Sequence, residues 1–275
     1  MIVDAHLHVW RAAPNYDAKT APVTTAVSST SDVPVELLLE YMDEYGVDRA
    51  ALVQPMFPGE DNSYVADSAA ANPERFTAVC IIDPRTPGTE DRLEYWVRER
   101  GCKGLRLRPR FKAEEAIFGS PATYPLWERI RALNVVVNVL ANPEHLATTA
   151  ALAGRYSDVP IIVDHMGHPD VNAGVDSPAF QALLDLAQFP QVFVKVTGHY
   201  YYSRQRYPYA DCHDLFRALY DRFGPSRLIW GSDFPHVLFN TTYRRCLLLN
   251  QREFPFLSAA NLELIMGENA AKLYW

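Results

Sequence analysis

Short β-branched or apolar runs punctuate the chain at residues 2–9 (IVDAHLHV), 49–55 (RAALVQP), 76–83 (FTAVCIID), 103–109 (KGLRLRP), 135–140 (VVVNVL), 160–167 (PIIVDHMG), 192–198 (VFVKVTG) and 227–234 (RLIWGSDF). Each reads as a strand, and the segments between them carry helical periodicity and helix punctuation. VELLLEYMDEYG stops at Gly46 and TEDRLEYWVRERG stops at Gly101, where a glycine suits the left-handed C-terminal position. Asn142-Pro143 and Ser177-Pro178 have the form of an N-cap followed by proline in the first helical turn. Strand and helix alternate from end to end, which implies a parallel sheet. Eight such units in 275 residues fit a closed (β/α)8 barrel better than an open sheet.

No composition shift, linker or internal repeat beyond this unit interrupts the chain, so residues 1–275 are expected to form a single domain. Three connections are long: 11–34 after the first strand, 111–125 after the fourth and 199–212 after the seventh. All three follow strands. A barrel gathers such loops over the C-terminal face, where its active sites form, so they are candidate pocket and lid segments.

The opening DAHLH places a carboxylate and two imidazoles at alternating positions. A strand turns every second side chain to the same side, so Asp4, His6 and His8 are expected to share one face. Other ionisable groups sit at later strand ends: Arg106 and Arg108 on the fourth, Asp164, His165 and His168 on the sixth, Lys195 on the seventh, Asp233 and His236 on the eighth. Closure of the barrel brings the eighth strand beside the first and so draws His6, His8, His165 and Asp233 to one mouth. Asp4 lies deeper and reads as a supporting carboxylate. Lys195 and Asp164 read equally well as a buried ion pair or as site residues. His145, at a helix start, is expected at the surface, and the pattern does not place His199 and His213.

The composition narrows the function. A net charge of −7 with no basic run argues against a nucleic-acid partner. No apolar run approaches the roughly 18 residues of a membrane span, and the N-terminus lacks the basic-then-apolar order of a secretion signal. The four cysteines, Cys80, Cys102, Cys212 and Cys246, are scattered without a CxxC pair, which disfavours a disulfide framework or thiolate zinc site. A cytoplasmic location is the expectation. Barrels of this size often dimerise through exposed helices, so a homodimer is compatible with the sequence.

The ordered set DAHLHVW, GLRLRP, VDHMGHP, VFVKVTG, WGSDFPH and IMGENAAKLYW resembles the amidohydrolase superfamily along essentially the whole chain. The likeness is to its amidohydrolase-related branch, which holds lactonases alongside metal-dependent decarboxylases. It implies a distorted (β/α)8 barrel. Binuclear members use a strand-four lysine, and none stands in GLRLRP; zinc decarboxylases end strand five with a histidine, where this chain has Asn138. Both departures move the expectation toward lactonases similar to pyrone-dicarboxylate and sugar-acid lactonases.

For a lactone, Asp233 is expected as general base, with His6, His8 and His165 polarising the carbonyl. No metal is strictly required. The competing arrangement puts one divalent ion, zinc first, on His6, His8 and Asp233, with His165 as a fourth contact or as the water-activating base; the alternative activity is that of a mononuclear zinc-dependent non-oxidative decarboxylase or a hydratase of an aromatic ring-cleavage product. The resemblance also implies that Arg106 meets a substrate carboxylate, hence a small acidic substrate. His168, Lys195 and His236 join it as binding candidates. The loop HYYYSRQRYPYA, with five tyrosines, contributes Tyr201, Arg204 and Tyr207.

Overall fold

The computed structural model describes residues 1–11, 32–56 and 59–275. Most of the connection after the first strand lies outside these residues. The eight expected strands are all present: β1 Val3–Leu7, β2 Arg49–Val53, β3 Phe76–Ile81, β4 Gly104–Leu107, β5 Val136–Val139, β6 Ile161–Val163, β7 Val192–Lys195 and β8 Leu228–Ile229. They pair in parallel in the order β1 to β8. At the seam, the Ala5 N–H donates to the Trp230 carbonyl, the Asp233 N–H to His6 and the His8 N–H to Phe234, and Leu7 bridges Phe234 in parallel. The result is a nearly closed (β/α)8 barrel.

Alternation along the strands sorts the apolar residues into two shells. Val3, Ala5, Ala51, Val53, Val79, Val136, Ile162 and Ile229 pack together inside the barrel. Their neighbours in sequence, among them Leu52, Cys80, Leu105, Val137, Val163 and Val194, pack outward against the helices. The helix Val35–Tyr45 buries Val35, Leu38 and Met42 in that outer layer and stops at Gly46, whose φ of 70° is left-handed as the sequence suggested. The Ser177 hydroxyl accepts from the Phe180 N–H, so Ser177-Pro178 opens a helix as expected.

The sequence reading of β1 is corrected at one point. Asp4 does not share a face with His6 and His8. The register against β2 shifts between Asp4 and Leu7, so one extra residue enters β1 and the period of two breaks. Asp4 accordingly turns outward, where its carboxylate accepts the Ser232 N–H at 2.8 Å and the Tyr243 hydroxyl at 2.8 Å. Burial pushes its carboxyl up to about 6. It ties β1 to the segment after β8 and thereby holds the seam. A second correction concerns His145: it is buried, and its Nδ1 accepts the Asn142 N–H at 3.0 Å in a capping box.

Two close approaches set the barrel's ends. A Cβ at Gly231 would lie 2.8 Å from the His6 Cβ and 2.9 Å from the His6 nitrogen, so only glycine lets the segment after β8 press against β1. At the opposite end the helix Asn269–Tyr274 packs Ala270 and Tyr274 against the inner shell. Gly267 meets the Met1 carbonyl there, where a Cβ would stand 2.2 Å from the oxygen.

Candidate active site

The strand ends converge as the sequence predicted. His6 Nε2 lies 3.7 Å and His8 Nε2 3.3 Å from Asp233 Oδ1. The His6 ring is 4.5 Å from that of His165 and 5.1 Å from that of His8, centroid to centroid. His236 stands beside His8, with ring centroids 5.5 Å apart. His6, His8, His165 and Asp233 are all buried.

Backbone shape contributes to this convergence. Asp233, His165, Met166 and His168 hold left-handed φ values of 58°, 52°, 51° and 56°. Such conformations cost non-glycine residues on the order of 1–3 kcal/mol each and are kept where the surroundings impose them. Two of the four strained residues are the carboxylate and an imidazole of the central cluster.

The hydrogen bonds fix much of the chemistry. His8 Nδ1 lies 2.8 Å from the Val53 carbonyl oxygen. A carbonyl only accepts, so Nδ1 carries a hydrogen and Nε2 is the atom turned toward Asp233. His165 Nδ1 pairs with the Thr197 hydroxyl at 2.6 Å, which leaves its Nε2 for the cluster. Burial pushes His165 down to about 3, and burial together with Lys195 holds His6 well below the usual histidine range. Burial alone would raise Asp233, but the imidazoles of His165, His8, His236 and His6 outweigh it and keep the carboxyl well below its ordinary range.

Beneath the cluster lies a buried ionic floor. The Arg106 Nε–H donates to Asp164 Oδ2 at 2.8 Å, and the Arg106 Nη2 is 3.4 Å from His6 Nε2. Lys195 Nζ is 3.1 Å from Asp164 Oδ1 and 3.0 Å from His6 Nδ1. Burial would raise Asp164, yet Lys195, His6 and Arg106 hold it well below the carboxylate range. The two alternatives weighed for Lys195 and Asp164 thus merge, because the ion pair is buried and touches the site.

The remaining candidates spread outward. His168 sits at the rim, with Nδ1 donating to the Ala141 carbonyl at 2.8 Å and Nε2 accepting from Arg110 Nη1 at 2.9 Å. Tyr201 is exposed, with its ring tilted by 50° against that of Tyr200 at a centroid distance of 4.4 Å. The Tyr200 hydroxyl donates to the Ser232 carbonyl, and the Tyr202 hydroxyl to the His165 carbonyl, so this loop is bound to the mouth. Arg204 is exposed, and Tyr207 turns to Glu253 and Arg245. Neither joins the central cluster. Arg110 escaped the sequence reading because no periodicity marks it: it lies beyond β4, and only the fold brings His168 to it.

Whether these residues suit a divalent ion is decided at Asp233. Its Oδ1 is buried, and His8 Nε2 faces it at 3.3 Å. Two electron-rich atoms so placed repel unless a proton or a cation lies between them. His8, Asp233 and His236 present ligand atoms within 4.8 Å of one another, as do His6, His165 and Asp233. Imidazole and carboxylate are ligands that zinc accepts, so the residues fit such an ion.

The chain belongs to the amidohydrolase family, whose model matches residues 3–275, and is a hydrolase of that family. Among curated relatives, a 4-sulfomuconolactone hydrolase of Rhizobium radiobacter is 33% identical over 239 residues, covering 85% of this chain and 75% of its own. An L-fucono-1,5-lactonase of Burkholderia ambifaria is 28% identical over 233 residues, covering 85% of this chain and 80% of its own. A crystal structure of an amidohydrolase from Burkholderia multivorans with bound zinc superposes with a TM-score of 0.86 at 24% identity, covering 100% of this chain and 99% of that one. Among the described residues no helix is long and apolar enough to cross a membrane.

Proposed function

We propose that this hydrolase opens the ring of a carboxylated or sugar-acid lactone by attack of a water activated at Asp233. The observation that carries the reading is the buried Asp233 Oδ1 facing His8 and His6 at 3.3 and 3.7 Å. An ionised carboxylate in that position takes a proton from water. His8, committed at Nδ1 to Val53, has its Nε2 free to receive the proton from Asp233 and pass it to the leaving ring oxygen. This gives His8 a proton-carrying role in place of the carbonyl-polarising role expected from sequence. His6 and His165 face the gap from the other side, where oxyanion charge develops as the carbonyl becomes tetrahedral. Donors so placed contribute on the order of 3–4 kcal/mol each. In the alternative with a divalent ion, held by His8, Asp233 and His236, the ion would supply positive charge to the attacking water in place of the proton-carrying role of His8.

The same geometry divides the arginines. Arg106 is tied to Asp164 and buried, so it lends charge to the floor of the site. Arg110, at the rim, has no carboxylate partner among the described residues and is oriented by His168. A guanidinium held this way suits a substrate carboxylate or sulfonate. The lactone names of the relatives support a cyclic ester; Asn138 beneath the site, where a zinc decarboxylase has a histidine, disfavours the decarboxylase reading. Proton release from aldono-lactones, pyrone carboxylates and muconolactones, with and without added zinc, tests the proposal. Turnover of one class is the expected result, and inertness toward all three overturns it.

A further inference from the structure

A column of hydrogen bonds runs up the barrel axis from the C-terminal helix to the site. The Tyr274 hydroxyl donates to Asn138 Oδ1 at 2.9 Å, and Lys195 Nζ donates to the same oxygen at 2.6 Å. An ammonium has no lone pair, so the atom facing it must be the amide oxygen, and the orientation of Asn138 is settled. Lys195 Nζ hydrogen-bonds to Asn138 Oδ1 and to His6 Nδ1 at 3.0 Å, and forms an ion pair with Asp164 Oδ1 at 3.1 Å.

The contact with His6 decides where that ring carries its hydrogen. Nδ1 faces an obligate donor and must therefore be the acceptor, which puts the hydrogen on Nε2. The opposite tautomer would set an imidazole N–H against an ammonium N–H at 3.0 Å, in exchange for a longer 3.4 Å approach to Asp164 Oδ1. Arg106 Nη2 also nears Nε2, but at 3.4 Å, and Asp164 already holds its guanidinium through Nε at 2.8 Å. The geometry at Nδ1 is the tighter of the two.

We propose that Lys195, anchored by Asn138 and Tyr274, is a positioning residue that fixes His6 as an Nε2–H donor aimed at the gap beside Asp233. The proposal rests on the lactonase reading for its catalytic meaning, since an Nε2–H is what a developing oxyanion needs. It also separates the two groups of potential ligands: His6 offers a hydrogen where a cation would need a lone pair, so an ion is left to His8, Asp233 and His236.

The test is the tautomer itself, read by long-range ¹H–¹⁵N NMR of the ¹⁵N-histidine protein, with the His6 signals assigned by their loss in His6→Gln. The expected wild-type spectrum has the His6 hydrogen on Nε2, and in Lys195→Met it moves to Nδ1. Tyr274→Phe leaves every charge in place but removes one anchor of Asn138. A hydrogen bond of ordinary strength predicts a fall in kcat of about 2–10-fold, with KM nearly unchanged and with the Nδ1–H form appearing in the spectrum. A wild-type hydrogen on Nδ1, or a Tyr274→Phe enzyme with wild-type kcat and spectrum, overturns the proposal even if Lys195→Met does not fold. The spectra require no substrate, so failure to turn over any lactone would sink the functional reading while leaving the tautomer standing or falling by its own result.

Discussion

Gly231→Ala isolates the close approach on which the site depends. The added Cβ would sit 2.8 Å from the His6 Cβ, 2.9 Å from the His6 nitrogen and 3.0 Å from the Thr197 Cγ2. Non-bonded carbons rest at about 3.5–4.0 Å, so β1 and the segment after β8 must separate by roughly 0.7 Å or more. Two of the three obstructing atoms are a backbone nitrogen and the Cβ fixed to that backbone, which cannot swing aside. Overpacking of this kind costs about 1–3 kcal/mol, or a fall of roughly 2–12 °C in Tm for a chain of this size. The displaced residues are His6 and, through Thr197, His165, on both sides of Asp233. A misplacement near 1 Å can cost about 100-fold in rate. The expected result is a folded enzyme with kcat down roughly 10–100-fold and a lowered Tm by differential scanning calorimetry. Gly154→Ala is the control: its Cβ would meet Phe189 at an ordinary 3.6 Å inside the helix Leu146–Arg155, and stability should rise by about 0.5–1 kcal/mol. Wild-type kcat and Tm in Gly231→Ala would show that the seam is looser than the geometry requires.

Three further outcomes follow from the site and its surroundings. Arg110→Met should raise KM for an anionic lactone about 10-fold or more while leaving that for a neutral lactone within twofold; equal effects on both would remove Arg110 from substrate binding. His199 is buried and burial pushes it down to about 3, so the unfolded chain binds a proton that the folded chain refuses between pH 6.5 and 3. Its contribution therefore falls as pH falls: about 2 kcal/mol is lost at pH 5 relative to pH 8, and the urea stability of His199→Phe should lack that part of the acid-side decline. A variant with an unchanged slope would contradict the assignment. For the ion, His236→Ala should weaken zinc binding by isothermal titration calorimetry at least 10-fold, and unchanged affinity would exclude His236 as a ligand.

The barrel was legible because each strand is a short β-branched or apolar run and several helices carry their own start or stop signal, both local properties. The central cluster was legible too, since strand-end histidines and a late aspartate can meet only if the barrel closes. Asp4 misled because an extra residue in β1 inverts the phase of alternation, and nothing in VDAHL announces it. His145 misled because the capping bond to Asn142 draws the ring inward, a choice that a helix-start position alone leaves open. The link from Tyr274 through Asn138 to Lys195 joins residues far apart in sequence, and so does the Arg110–His168 contact. Such pairings are settled by tertiary geometry, where no periodicity reaches.

The sharpest trial of the account is Asp233→Asn, assayed on whichever lactone the wild-type enzyme opens, with binding of the same compound followed by calorimetry under conditions where turnover is absent. An amide keeps the shape of the carboxylate but cannot take the proton from water, so kcat should fall by a factor on the order of 10²–10⁴ with affinity within a few-fold of wild type. An Asp233→Asn enzyme that hydrolyses the lactone at near wild-type rate would place the chemistry elsewhere in the molecule.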